Sequence, residues 1–233
     1  MTTIRGARER ARIEVTAAIK DEARSQLAAE GAAKLSLRAV ARELGMASSA
    51  LYRYFPSRDD LLTALIVDAY NAVGSAAEQA LADAGPAGPP VRWTAICTAV
   101  RSWALAHPHE YALIYGSPVP GYNAPQLTIE PASRVGLALI SVARDAHHAD
   151  GLALPPLAVE LRPEAERLAS LFAPGLPPEV TAALVAAWAQ LFGLISFEVF
   201  GQFNGVVEAR DELFVHAAKR LAYECGLLDG RRT

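Results

Sequence analysis

The chain has 233 residues, 22 Lys and Arg against 25 Asp and Glu, a formal charge of −3 and 52% hydrophobic residues. That length suits one small module beside a larger domain, or a single helical body with a sizeable core, and the overall charge gives no general affinity for nucleic acid. The two cysteines, Cys97 and Cys225, lack a ligand-spaced partner and read as small buried hydrophobes in a reduced compartment, which sets aside a disulfide framework.

In chain order, the spacing of Ile19, Ala23 and Leu27 predicts a first helix over residues 8–29, stopped by Gly31. Ser36 is a good N-cap for a second helix over 37–44, whose Leu37, Val40, Ala41 and Leu44 form one apolar stripe. Gly45 permits a tight turn, and a third helix over 47–55 ends before Pro56. Ser57 and Asp60 resemble a capping box opening a fourth helix to about residue 81. Residues 83–90 (DAGPAGPP) form the clearest linker. Beyond it the pattern gives helices near 91–106, 109–115, 127–147 and 157–172, with a Gly/Pro-rich loop at 116–125. Two strong helices, 179–200 and 206–225, finish the chain. β-Branched runs bounded by turns are hard to find. The expected class is all-α, about nine helices in two lobes: an N-terminal module over 1–67 and a larger helical domain over 68–233.

Charge is unevenly distributed. Residues 1–58 hold eleven basic and six acidic side chains, residues 59–233 eleven basic and nineteen acidic. A small basic module on an acidic body is the asymmetry expected when only one end meets phosphate. Two short helices joined by a glycine turn describe a helix-turn-helix. On the second of them Ala47, Ala50, Leu51 and Tyr54 share the inner side, while Ser48, Ser49, Tyr52 and Arg53 point outward. Hydroxyls, an aromatic ring and an arginine are groups that contact phosphate and base edges in the major groove, whereas a merely solvated face more often shows Glu and Lys.

The stretch LSLRAVARELGMASSALYRYFPSRDDLLTAL, residues 35–65, resembles the helix-turn-helix of TetR-family repressors, through Ser36, Val40, Ala41, Leu44 and Gly45, then Leu51, Tyr52, Tyr54 and Phe55, then residues 57–62. The resemblance implies that Arg38 contacts phosphate or a base edge, that Ser48, Ser49, Tyr52 and Arg53 face the groove, and that Tyr54 and Arg58 hold the DNA backbone. Tyr52 also reads as a phosphate anchor without a base contact, and Tyr54 as mostly core. Where the family commonly has Thr or Pro, this chain has Ala50 and Ser49, so its base-reading pattern is its own. The arginines at 5, 8, 10 and 12 form either a minor-groove arm or a solvated terminus.

The resemblance further implies that the second domain forms a homodimer and binds a small-molecule effector, and residues 107–125 resemble one C-terminal subtype of the same family. Trp103, Tyr111, Ile114, Tyr115, Phe172, Trp188 and Phe192 either line a ligand pocket or are plain core. The last two helices read as the dimer interface, through Trp188, Ile195, Leu213, Phe214, Ala217 and Leu221. The uncharged run 180–197 just reaches membrane-spanning length but is alanine-rich and cut off by Glu198, which favours burial in protein. His107, His109, His147, His148 and His216 lack a recognisable metal-ligand spacing. No nucleophile elbow, phosphate-binding glycine loop or carboxylate pair points to catalysis. The N-terminus has no apolar segment of signal-peptide type. The expectation is therefore a cytoplasmic DNA-binding repressor without cofactor, metal or enzymatic activity, released from a palindromic double-stranded operator by a small, largely apolar ligand. An architectural DNA-binding dimer without an effector is the alternative.

Overall fold

The computed structural model describes residues 2–149 and 151–228, with side chains from residue 6 onward. Ten α-helices appear among the described residues, one for each helical segment marked in the sequence: α1 (Thr2–Glu30), α2 (Leu37–Glu43), α3 (Ser48–Leu51), α4 (Arg58–Ala84), α5 (Pro89–Ala106), α6 (Pro108–Tyr115), α7 (Ile129–His148), α8 (Arg162–Phe172), α9 (Pro178–Val199) and α10 (Arg210–Glu224). No strand occurs among these residues; Leu152 and Leu227 form one isolated antiparallel bridge.

Several helix ends differ from the sequence reading, each for a local reason. α1 starts at Thr2, because its Arg-, Glu- and Ala-rich first turns favour helix even though Arg8, Arg10 and Arg12 are exposed there; the side chain of Arg5 lies outside the described residues. α3 stops at Leu51 and continues as turns, with the amide of Tyr54 donating to the Leu51 carbonyl at 2.8 Å, ahead of Pro56. α8 opens only at Arg162, with Pro163 in its first turn. α10 opens at Arg210, where Asp211 and Glu212 favour a helix start.

By packing, the chain divides into two compact units. The first gathers Met1–Tyr70 with His107–Ile129, the second Asn71–Ala106 with Glu130–Thr233. The first unit's core is built on Ile19, Leu27, Val40, Leu51, Leu61 and Leu65, all at most 4% exposed. In the second unit α5 packs on α10, and each buries a full stripe: Trp93, Ile96 and Val100 on one helix, Phe214, Ala218 and Leu221 on the other. α9 is long and apolar enough to cross a membrane, yet Val180, Leu184, Leu191 and Ile195 lie buried in this core. Burial also pushes the Cys97 thiol up from its ordinary pKa and that of Cys225 up to about 12, so both are un-ionised hydrophobes at neutral pH.

Candidate nucleic-acid interface

The α2–α3 pair is shaped by three local devices. The Ser36 hydroxyl accepts from the Ala39 amide, capping α2. Gly45 adopts φ 63°, the left-handed region that a glycine enters without strain. Beside it the Met46 amide donates to the Ala41 carbonyl at 2.8 Å and the Gly45 amide to the Arg42 carbonyl at 3.1 Å, the paired bonds of a Schellman ending. The helix therefore stops cleanly and the chain turns into α3. Leu37, Val40, Ala41 and Leu51 are buried, with Leu44, Met46 and Tyr54 half-buried against the same core.

The opposite face carries Arg38, Ser48, Ser49, Tyr52 and Arg53, all exposed; Tyr52 keeps 41% of its surface in water. Among the described residues neither Arg38 nor Arg53 has a carboxylate partner. Four other cations of this unit, Lys20, Arg24, Arg42 and Arg58, are engaged. Lys20 and Arg24 share Asp68, at 2.7 and 2.8 Å, and Arg42 meets Glu43 at 3.2 Å. Arg58 is turned away from the outer face: its guanidinium donates to the carbonyls of Ala32 at 2.8 Å, Ala33 at 3.2 Å and Leu35 at 3.2 Å, closing the connection that leads into α2. Two uncommitted guanidinium groups among hydroxyls can bind phosphate oxygens or a guanine edge.

The second unit holds two further surfaces. A groove of about 360 Å³ runs between α7, α8 and α9, lined chiefly by Leu137, Ile140, Phe172, Leu184, Val185 and Trp188; its polar side chains are only Ser133 and Thr181. Of the seven residues considered as pocket lining, Phe172 and Trp188 lie here. Trp103 and Phe192 are each 8% exposed, the latter edge-on to Trp188. Tyr111, Ile114 and Tyr115 pack in the first unit, where the two tyrosine rings lie 5.2 Å apart. Desolvation holds the Tyr115 hydroxyl protonated, far above its ordinary pKa.

Along α9 and α10 lies a surface in which Leu194, Phe197, Phe203, Leu213 and Ala217 are bordered by Gln190, His216, Arg220 and Glu224. Phe197 is 53% and Trp188 44% exposed. Of the residues read as dimer contacts, Trp188, Leu213 and Ala217 reach this unit's surface, whereas Ile195, Phe214 and Leu221 are at most 3% exposed within its own core. Behind the surface Arg101 of α5 bonds Glu198 through two hydrogen bonds of 2.6 and 2.7 Å and Asp211 at 2.7 Å, above the Phe214 ring. The Glu198 carboxylate, then Asp211, hold this guanidinium charged against its burial. Sequence reading missed this triad and Phe197. The signals were present: Arg101 is the lone cation among the apolar positions 97, 100 and 104, and Glu198 is the only charge in α9 beyond its first turn.

Comparison with known proteins agrees with the geometry. Residues 19–65 match the family model described as bacterial regulatory proteins, tetR family, and residues 93–221 match the tetracyclin repressor-like C-terminal domain. The chain is 42% identical over 207 residues to the HTH-type transcriptional regulator Rv1816 of Mycobacterium tuberculosis, covering 85% of this chain and 86% of that one. The regulatory protein SCO4313 superimposes with TM-score 0.77 at 34% identity, covering 91% of this chain and 97% of that one. RolR, solved with resorcinol, shares the fold alone, with TM-score 0.52 at 16% identity over 93% of each chain. The chain belongs to the TetR family of helix-turn-helix DNA-binding transcriptional regulators.

Proposed function

We propose that this regulator is a cytoplasmic homodimeric repressor that binds a palindromic operator through Arg38, Ser48, Ser49, Tyr52 and Arg53 of each copy, with no catalytic step, and is released by a small, largely apolar ligand. The observation that carries the reading is the outer face of α2–α3, where two arginines without carboxylate partners stand among exposed hydroxyls, while Lys20, Arg24, Arg42 and Arg58 of the same unit are tied to carboxylates or carbonyls. One such helix pair reads only a few base pairs, so two copies at fixed spacing supply specificity. The apolar residues that α9 and α10 expose, Phe197, Leu213 and Ala217 among them, support the pairing surface. The groove between α7, α8 and α9 supports an effector site; its lining has few hydrogen-bonding groups, which suits an uncharged aromatic or alicyclic molecule. Ligand binding favours a conformation in which the two reading helices no longer match the operator spacing.

The test is selection of duplexes from a random-sequence pool by the full chain, followed by footprinting and competition with a panel of uncharged aromatic and alicyclic compounds. Two half-sites related by a dyad, and release by at least one compound that also quenches Trp188 fluorescence, are expected. A dyad site with no release by any compound would favour the architectural reading. An asymmetric single half-site would remove the dimer from the account.

A further inference from the structure

The segment His107–Ile129 follows the helix-turn-helix by many residues, yet it packs in the same unit. Its contacts with α1 and α4 are directional as well as apolar. Glu110, in the first turn of α6, accepts from Arg24 Nε at 3.2 Å, and the same guanidinium reaches Asp68 of α4 at 2.8 Å and Asp21 at 2.7 Å. Tyr122 Oη and Thr63 Oγ1 share a hydrogen bond of 2.9 Å. The Tyr70 hydroxyl donates to the Ile114 carbonyl at 3.3 Å. Leu113, Val119 and Tyr122 lie against the core cluster that also holds Val40 and Leu51 of the reading pair.

Apolar cover alone would bury this side of the core, because burial is non-directional. Hydrogen bonds and a shared guanidinium instead fix angles between helices. The ionic group is partly shielded, with side chains of Arg24, Asp68 and Glu110 only 30%, 29% and 19% exposed, so it is less open to screening than a surface pair. None of these residues lies on the outer face of α2–α3. What they do reach is α1 and the first turns of α4, the two helices that flank the reading pair in the chain and share its core.

We propose that Tyr122 and Glu110 are positioning residues for DNA recognition, which hold α1 and α4 at the angle where α2–α3 presents Tyr52 and Arg53 to the base edges. The inference rests on the DNA-reading face described above. A small error in helix orientation costs base contacts first, because phosphate contacts tolerate a shift that hydrogen bonds to base edges do not.

The experiment uses the full chain, a duplex that the wild type selects from a random-sequence pool, and a scrambled duplex of equal length. Tyr122→Phe, Thr63→Val and their double variant form one set; Glu110→Gln and Arg24→Gln with their double variant form an independent one, so a folding failure in either set leaves the other. Each single variant should weaken binding to the selected duplex about three- to tenfold, the range expected when one hydrogen bond is removed. Each double variant should be little worse than its singles. Binding to the scrambled duplex should stay within about twofold, since counterion release is unaffected. Unchanged affinity for the selected duplex in both sets overturns the proposal. So does an equal fall on both duplexes, which marks a loss of folded protein. A wild type that selects no duplex would instead overturn the DNA-reading face, and the inference with it.

Discussion

The α2–α3 pair and the α9–α10 pair are each two helices joined through left-handed glycines, Gly45 in the first case and Gly201 and Gly205 in the second. They dispose of their side chains in opposite ways. The first turns every large apolar group inward except the Tyr52 ring and leaves cations and hydroxyls in water. The second keeps apolar groups on both faces: Ile195, Phe214 and Leu221 inside, Phe197, Leu213 and Trp188 outside. A surface of uncommitted cations suits a charged partner that comes and goes with salt. Exposed aromatic and aliphatic groups rimmed by polar side chains suit a protein cover. The comparison teaches that burial within one protomer separates fold residues from assembly residues, a separation that an all-round apolar helix conceals in its sequence.

The largest expected effect lies behind the α9–α10 pair. Arg101→Ala leaves the Glu198 carboxylate, 7% exposed, without its partner, and should cost about 3–5 kcal/mol of unfolding free energy. Urea titration measures it, and a loss below about 1 kcal/mol would show the ion pair to be dispensable. No comparable pair lies under α2–α3 among the described residues.

Next comes the division of α10 into inner and outer faces. Leu213→Asp should keep the fold and shift dimer to monomer at micromolar concentration, since the new charge is desolvated only when a second copy covers it. Leu221→Asp, at a position 3% exposed, should unfold the second unit instead. Light scattering paired with circular dichroism separates the two outcomes; a folded, monomeric Leu221→Asp protein would erase the distinction between the faces.

The smallest effects sharpen the other pair. Arg38→Ala should flatten the dependence of log affinity on log salt by about 0.9 for each phosphate that the missing guanidinium no longer neutralises. Arg58→Ala should leave that slope alone and lower the melting temperature, because its guanidinium binds the carbonyls of Ala32, Ala33 and Leu35. Exchanged phenotypes would mean that the outer face has been drawn on the wrong arginine.

Much of this was legible in the sequence because it is local. Ser36, Gly45 and the stripe Leu37, Val40, Ala41 are capping and periodicity signals, and they give α2 and its turn to within a residue. The outward set on α3 follows from the same periodicity, although the helix proper is shorter than the pattern implies. Long-range pairings were not legible. Nothing in the spacing of Arg24, Asp68 and Glu110, or of Thr63 and Tyr122, announces that they meet, since each pairing depends on the packing of residues 107–129 within the first unit. The inner and outer faces of α9 were hidden for a related reason: an apolar helix has no polar side to mark which way it points.

The central claim is that the outer face of α2–α3 reads DNA. Fluorescence anisotropy of Tyr52→Ala and Arg53→Ala on a duplex selected by the wild type, with melting curves as control, tests it most directly. Each variant should lose about 1–3 kcal/mol of specific binding free energy while its melting temperature stays near that of the wild type. Wild-type affinity in both folded variants would contradict the assignment of this face.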